Sequence, residues 1–167
     1  MKLFDLPLRS LMSAACIAFA LFAVSSPAHA QAGMFSSLAG DWAGSGTITV
    51  ADGSSERIRC RATYKVDATG ATMDQVLRCA SDSYKFELSS SVQSSGSSVY
   101  GNWSEASRNI NGTLQGKGSN GAFEVLVSAN GFAADLSLRA SGGKQTIAIS
   151  SKNTDLRSVN ITLTRGS

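Results

Sequence analysis

From Trp42 to Arg165, apolar and polar residues alternate with a period of two, in short runs separated by clusters of glycine, serine, asparagine and aspartate. That period sends successive side chains to opposite faces of an extended chain, and few stretches show a helical period. About ten strand candidates follow one another. Trp42, Gly44, Gly46, Ile48 and Val50 share one face of the first; Ile58, Cys60, Ala62, Tyr64 and Val66 share one face of the second. Met73, Leu77 and Cys79 continue that face, and Tyr84, Phe86 and Leu88 share one face of a fourth run. Val99, Gly101 and Trp103, then Ile110, Gly112, Leu114 and Gly116, repeat the pattern. So do Phe123, Val125 and Val127, then Phe132, Ala134, Leu136 and Leu138. Gln145, Ile147 and Ile149 come next, and Val159, Ile161, Leu163 and Arg165 end the series. Ser89 to Ser98, rich in serine, reads as a flexible loop.

Short strands joined by short turns, with no helical crossover, predict an all-β antiparallel meander. A sheet apolar on one face closes on itself or folds over. Inward glycines at 44, 46, 101, 112 and 116 favour closure, because sharply coiled strands need positions without a Cβ. The expectation is an up-and-down barrel of eight to ten strands, with a two-sheet sandwich as the alternative.

The first 30 residues read as a signal peptide. Lys2 and Arg9 supply a basic start, Leu11 to Val24 an apolar core, and Ala28-His29-Ala30 a small-residue cleavage site. The apolar run is too short to span a membrane comfortably. Domain bounds follow: signal peptide 1–30, N-terminal linker 31–38, one β-barrel domain 39–167. The implied compartment is the periplasm, or the medium around a bacterial cell. The leader carries away His29, the only histidine, and leaves a small positive net charge, too mild and dispersed for nucleic acid. No stable membrane insertion is expected.

Two cysteines remain after the leader, Cys60 and Cys79. In an exported chain an even pair reads as a disulfide. Asp67-Ala-Thr-Gly-Ala71 reads as a turn between two strands. A hairpin centred at Thr69/Gly70 sets Tyr64 opposite Gln75, Ala62 opposite Leu77, and Cys60 opposite Cys79. Directly opposed residues come close enough for a cross-strand bridge. Closing a loop of about 19 residues contributes on the order of 3 kcal/mol.

Gly40-Asp-Trp42 opens the first strand, and Arg165, on the inward parity of the last, closes the chain. In a closed meander those strands are neighbours, so Arg165 comes to lie over the Trp42 ring, a cation–π contact of about 1 kcal/mol. The pattern resembles the calycin group: lipocalins, fatty-acid-binding proteins and avidins. The resemblance implies a barrel base formed by Trp42 and Arg165 and a ligand held inside. Gly40-Asp-Trp42 with Cys60 and Cys79 also resembles bacterial periplasmic metalloprotease inhibitors. That second resemblance implies that Gln31 to Ser37 forms a trunk inserted into a protease, whereas composition alone reads the segment as linker.

Signals for catalysis are sparse. Without histidine, Ser-His-Asp and Cys-His arrangements are excluded from the mature chain. Glu87, Glu105 and Glu124 stand singly on strand faces, and no metal or cofactor is expected. Gly116 to Gly121 matches G-x-G-x-x-G, but the strand pattern after it removes the helix that a phosphate loop needs, so it reads as a turn. Arg57, Arg59 and Arg61 form a ladder on one outer face, with Arg78 across from Arg61. The ladder reads as a solvated face or as an anion patch for acidic partners. The expected function is an exported, non-enzymatic barrel that binds a small apolar ligand. Tyr64, Phe86, Leu88, Trp103, Phe123, Phe132, Leu136 and Ile147 are the expected interior wall. The alternative is a periplasmic protease inhibitor or envelope interaction module, with a protein partner bound at its surface and loops.

Overall fold

The computed structural model describes residues 33–119, 121–152 and 154–166. The expected signal peptide lies outside them. Ten strands follow in chain order: β1 (Gly40–Val50), β2 (Ser55–Val66), β3 (Thr72–Ala80), β4 (Lys85–Ser95), β5 (Ser98–Glu105), β6 (Ile110–Ser119), β7 (Ala122–Ala129), β8 (Phe132–Ser141), β9 (Lys144–Ser151) and β10 (Leu156–Arg165). Each pairs antiparallel with the next, and β10 pairs back onto β1 to close a barrel. Closure rules out the sandwich. The only helical element among the described residues is a 3-10 turn, Ser36–Leu38.

The β2–β3 hairpin has the register read from its sequence. Tyr64 stands opposite Gln75, Ala62 opposite Leu77 and Cys60 opposite Cys79. The two cysteines are bridged, with Cα atoms 4.1 Å apart. Strand tilt follows from the other registers. The hydrogen-bonded row through Trp42, Ala62, Leu77, Leu88 and Glu105 starts at the first residues of β1 and reaches the last residue of β5. It therefore climbs from one end of the barrel to the other, as closure of a tilted sheet requires. Coiling explains the inward glycines. A Cβ on Gly44 would collide with the Thr162 carbonyl oxygen of β10, and one on Gly112 with the Ser128 carbonyl of β7 and the Trp103 ring.

Two expectations need correction. The serine-rich loop is strand: β4 runs to Ser95 and turns only at Gly96 and Ser97. Serine has weak strand preference, but here the ladder decides. Val92 is buried inward, Ser90 donates to Gln75, and the Ser94 N–H and hydroxyl both reach the Ala71 carbonyl. The described part of the 31–38 linker is built into the fold. Phe35 and Leu38 are each 1% exposed, and the Phe35 ring stacks on Phe123 at 5.6 Å. Two large apolar side chains in a short segment find the barrel end beside them, and burying them outweighs the entropy of ordering a few residues.

Candidate functional site

One end of the barrel is closed by side chains. Trp42 is buried, and its indole N–H donates to the Leu38 carbonyl at 2.7 Å. The Arg165 guanidinium lies 4.6 Å from the ring centre and donates to the Ser37 carbonyl. The 3-10 turn is thus held from both sides, and it seats Phe35 and Leu38 against the barrel. Tyr64 belongs to this end too. Its hydroxyl donates to Gln145 Oε1 at 3.0 Å, and burial pushes its pKa up, only partly offset by that bond.

The expected interior wall divides by height. Tyr64, Phe123 and Ile147 are buried in the lower packing, with Phe123 against Phe35. They do not line an accessible wall, because alternation assigns a face and says nothing of height. Phe86, Leu88, Trp103, Phe132 and Leu136 point inward but remain partly exposed, packed against the core. They sit in the middle and far portions of their strands, away from Trp42. Val125, Val127, Ile149 and Leu156 share that intermediate exposure. Trp103 meets Phe132 edge to face at 6.1 Å, and its indole N–H donates to the Thr113 carbonyl at 3.2 Å. Its ring lies over Gly112, so that glycine gives room to an indole rather than leaving a void.

Glu105 ends β5 at this far end and is buried. Burial raises its pKa, but hydrogen bonds from the N–H groups of Glu87, Ser107 and Arg108 outweigh that and hold it below the ordinary value. The carboxylate shapes the turn after β5. Glu87 and Glu124 are paired elsewhere, with Arg78 at 2.7 Å and Arg139 at 3.0 Å. The three glutamates form no common site.

The arginine ladder lies outside, on β2. Arg57 donates to Ser45 Oγ at 3.3 Å. Arg59 and Arg61 border an open groove of about 800 Å³, together with Ala43, Arg78, Ala80, Lys85 and Glu87. Arg61 stands opposite Arg78, and Arg78 is compensated by Glu87 from β4. The polar side chain whose burial the sequence did not flag is Gln145, fully buried with its Nε2 lacking a partner among the described residues. Its signal was its shared parity with Ile147 and Ile149.

Comparison with known proteins adds the fold alone. No protein-family profile matches this sequence, and no curated protein matches it. The structure is similar to that of Rv2717c from M. tuberculosis, with a TM-score of 0.64 and 13% identity over 79% of this chain and 94% of that one. It is also similar to the S-type phycobiliprotein lyase CPES from Guillardia theta, with a TM-score of 0.56 and 9% identity over 80% of this chain and 90% of that one. Both likenesses fit a calycin-like barrel.

Proposed function

We propose that this protein is an exported, non-enzymatic carrier barrel that holds a small apolar ligand, entered from the end opposite Trp42. The observation that carries this reading is the inward but partly exposed set Phe86, Leu88, Trp103, Phe132 and Leu136 above a base closed by Trp42, Phe35 and Leu38. Apolar side chains that face inward and still meet solvent support a reading in which the upper interior takes a ligand, which gains there from leaving water. Barrel diameter grows with strand number, and eight strands already suffice to enclose one small ligand. Export is supported by the leader pattern and by the Cys60–Cys79 bridge, which persists in oxidising compartments. The test is titration with an apolar, polarity-sensitive fluorophore. One molecule should bind per chain, and Leu136→Trp, which fills the interior, should abolish binding. Leu126→Trp, on the outer face, should leave it intact. Fluorophore binding unaffected by Leu136→Trp would overturn the interior site.

A surface-acting role has its own support. Tyr100 and Leu126 are 45% and 40% exposed, and both flank Gln115 on one row of the outer face. Such a pair suits an envelope partner. The trunk of a protease inhibitor has less support, since Phe35 and Leu38 already occupy the barrel's own base.

A further inference from the structure

Closure gathers onto one outer face charges that the sequence spreads out. Arg57, Arg59 and Arg61 point outward from β2, about 7 Å from one to the next, as alternate residues of a strand must. Arg61 stands opposite Arg78 of β3 and Ala43 of β1, and Ala43 leads through Thr164 to Lys144 of β9. Arg59 stands opposite Ala80, itself opposite Lys85 of β4. On its other side Arg59 meets Ser45, and that row continues through Thr162 and Thr146 to Arg139 of β8. Thr47 and Asn160 lead away from Arg57 in the same direction. From β8 round to β4 these three rows carry seven cations, all exposed, and a single carboxylate, Glu87. Glu87 pairs with Arg78, and Glu124 of β7 pairs with Arg139. The other five cations form no ion pair among the described residues. Arg61 and Arg78 are like charges directly opposed, an arrangement that costs stability. An anion from outside would relieve it.

We infer that this face binds a linear polysaccharide that carries carboxylate groups. Only the outer face takes part, so the site stands whether or not the interior holds a ligand. Two open grooves lie side by side along it, with β1 contributing to both. One, of about 800 Å³, is bordered by Arg59, Arg61, Arg78 and Lys85; the other, of about 650 Å³, by Arg57 and Arg139. Five of the seven cations are arginines, whose planar fork meets a carboxylate through two parallel hydrogen bonds. Between Arg59 and Arg139 lie four strand spacings, about 19 Å, floored by Ser45, Thr162 and Thr146. Hydroxyls both donate and accept, as the hydroxyls of a sugar chain require. The three rows hold no large apolar or aromatic side chain, and the exposed Tyr100 and Leu126 stand on β5 and β7. A folded protein partner needs such anchors, and a single-stranded nucleic acid needs rings on which to stack its bases. A flat bilayer would span the grooves without reaching their floor. A narrow, hydroxylated polyanion satisfies both the cations and the floor.

The experiment is titration calorimetry of the full mature chain at neutral pH with polygalacturonate, with alginate, and with polygalacturonate whose carboxyls are methyl-esterified. At least one acidic polymer should bind, and should weaken about tenfold or more as salt rises from about 50 to about 200 mM. The ester, which keeps the sugar chain and removes its charge, should bind at least about tenfold more weakly. Arg59→Gln with Arg61→Gln should weaken the acidic polymer about tenfold. Lys117→Gln with Lys152→Gln removes the same charge from other exposed positions and should leave binding intact. Thr146→Val with Thr162→Val should weaken the polysaccharide about fivefold and leave any weak binding of polyglutamate unchanged. The double arginine variant should match or exceed the wild-type melting temperature. A lower melting temperature with undiminished binding assigns the arginines to the fold and overturns the inference. So does equal weakening by the two charge-removing pairs, or binding to neither acidic polymer. Equal or tighter binding of polyglutamate, or of phosphatidylglycerol vesicles, at the same anion concentration also overturns it, in favour of an acidic protein or a membrane.

Discussion

The Arg165 guanidinium lies 4.6 Å above the Trp42 indole, and this contact joins the last strand to the first across the closing seam. Because Arg165 also holds the Ser37 carbonyl, the pair fixes the 3-10 turn over the barrel end. Arg165→Gln should cost about 1 kcal/mol in urea denaturation. Trp42→Leu, which loses both buried volume and the bond to Leu38, should cost about 3 kcal/mol or more. An unchanged midpoint for Arg165→Gln would show that the charge is merely solvated.

Phe35 distinguishes a seated segment from a tether. Its ring is buried against Phe123. Phe35→Ala should cost about 3–5 kcal/mol, whereas substitution in a free linker stays within about 0.5 kcal/mol. Denaturation curves of this single variant decide between the two.

The Cys60–Cys79 bridge closes the β2–β3 hairpin. Replacing both cysteines by alanine should lower stability by about 3 kcal/mol, from the unfolded chain's regained freedom. Wild-type protein should lose a similar amount under reducing denaturation, and the double variant should be indifferent to reductant.

Asp67 contributes to the acid limb, alongside Asp52, Glu56, Glu87 and Glu105, whose carboxyls are also held below their ordinary values. Its carboxylate accepts from the Thr69 hydroxyl and from the N–H groups of Thr72 and Ala71, and its pKa falls from 3.8 to about 2. A folded-state pKa below the unfolded value contributes stability that is complete above about pH 4. That contribution is lost as pH falls towards about 2. Asp67→Asn should make the loss of stability across that window shallower and leave its shape above about pH 5 unchanged. A wild-type acid limb retained by the variant assigns the loss to other carboxylates.

Much of the fold was legible because alternation and turn chemistry agreed. The pairing of Cys60 with Cys79 followed from a turn at Thr69/Gly70, and the Trp42–Arg165 seam from parity and closure. Height along the barrel axis was not legible. Tyr64, Phe123 and Ile147 have the same parity as Phe86 and Leu136, yet they pack low and stay buried. The second half of strand β4, from Ser89 to Ser95, was hidden by its serines, whose preference is overruled by neighbours on both sides. Gln75 and Gln145 were placed by register and parity, but nothing in their apolar neighbours marked Gln145 as a buried polar side chain of the barrel end.

The most direct test is native mass spectrometry of the protein purified from its own source without detergent. A carrier predicts a population heavier than the bare chain by one small apolar molecule, released on unfolding and restored by adding that molecule back. A bare chain that stays bare after incubation with total lipid extract contradicts the account.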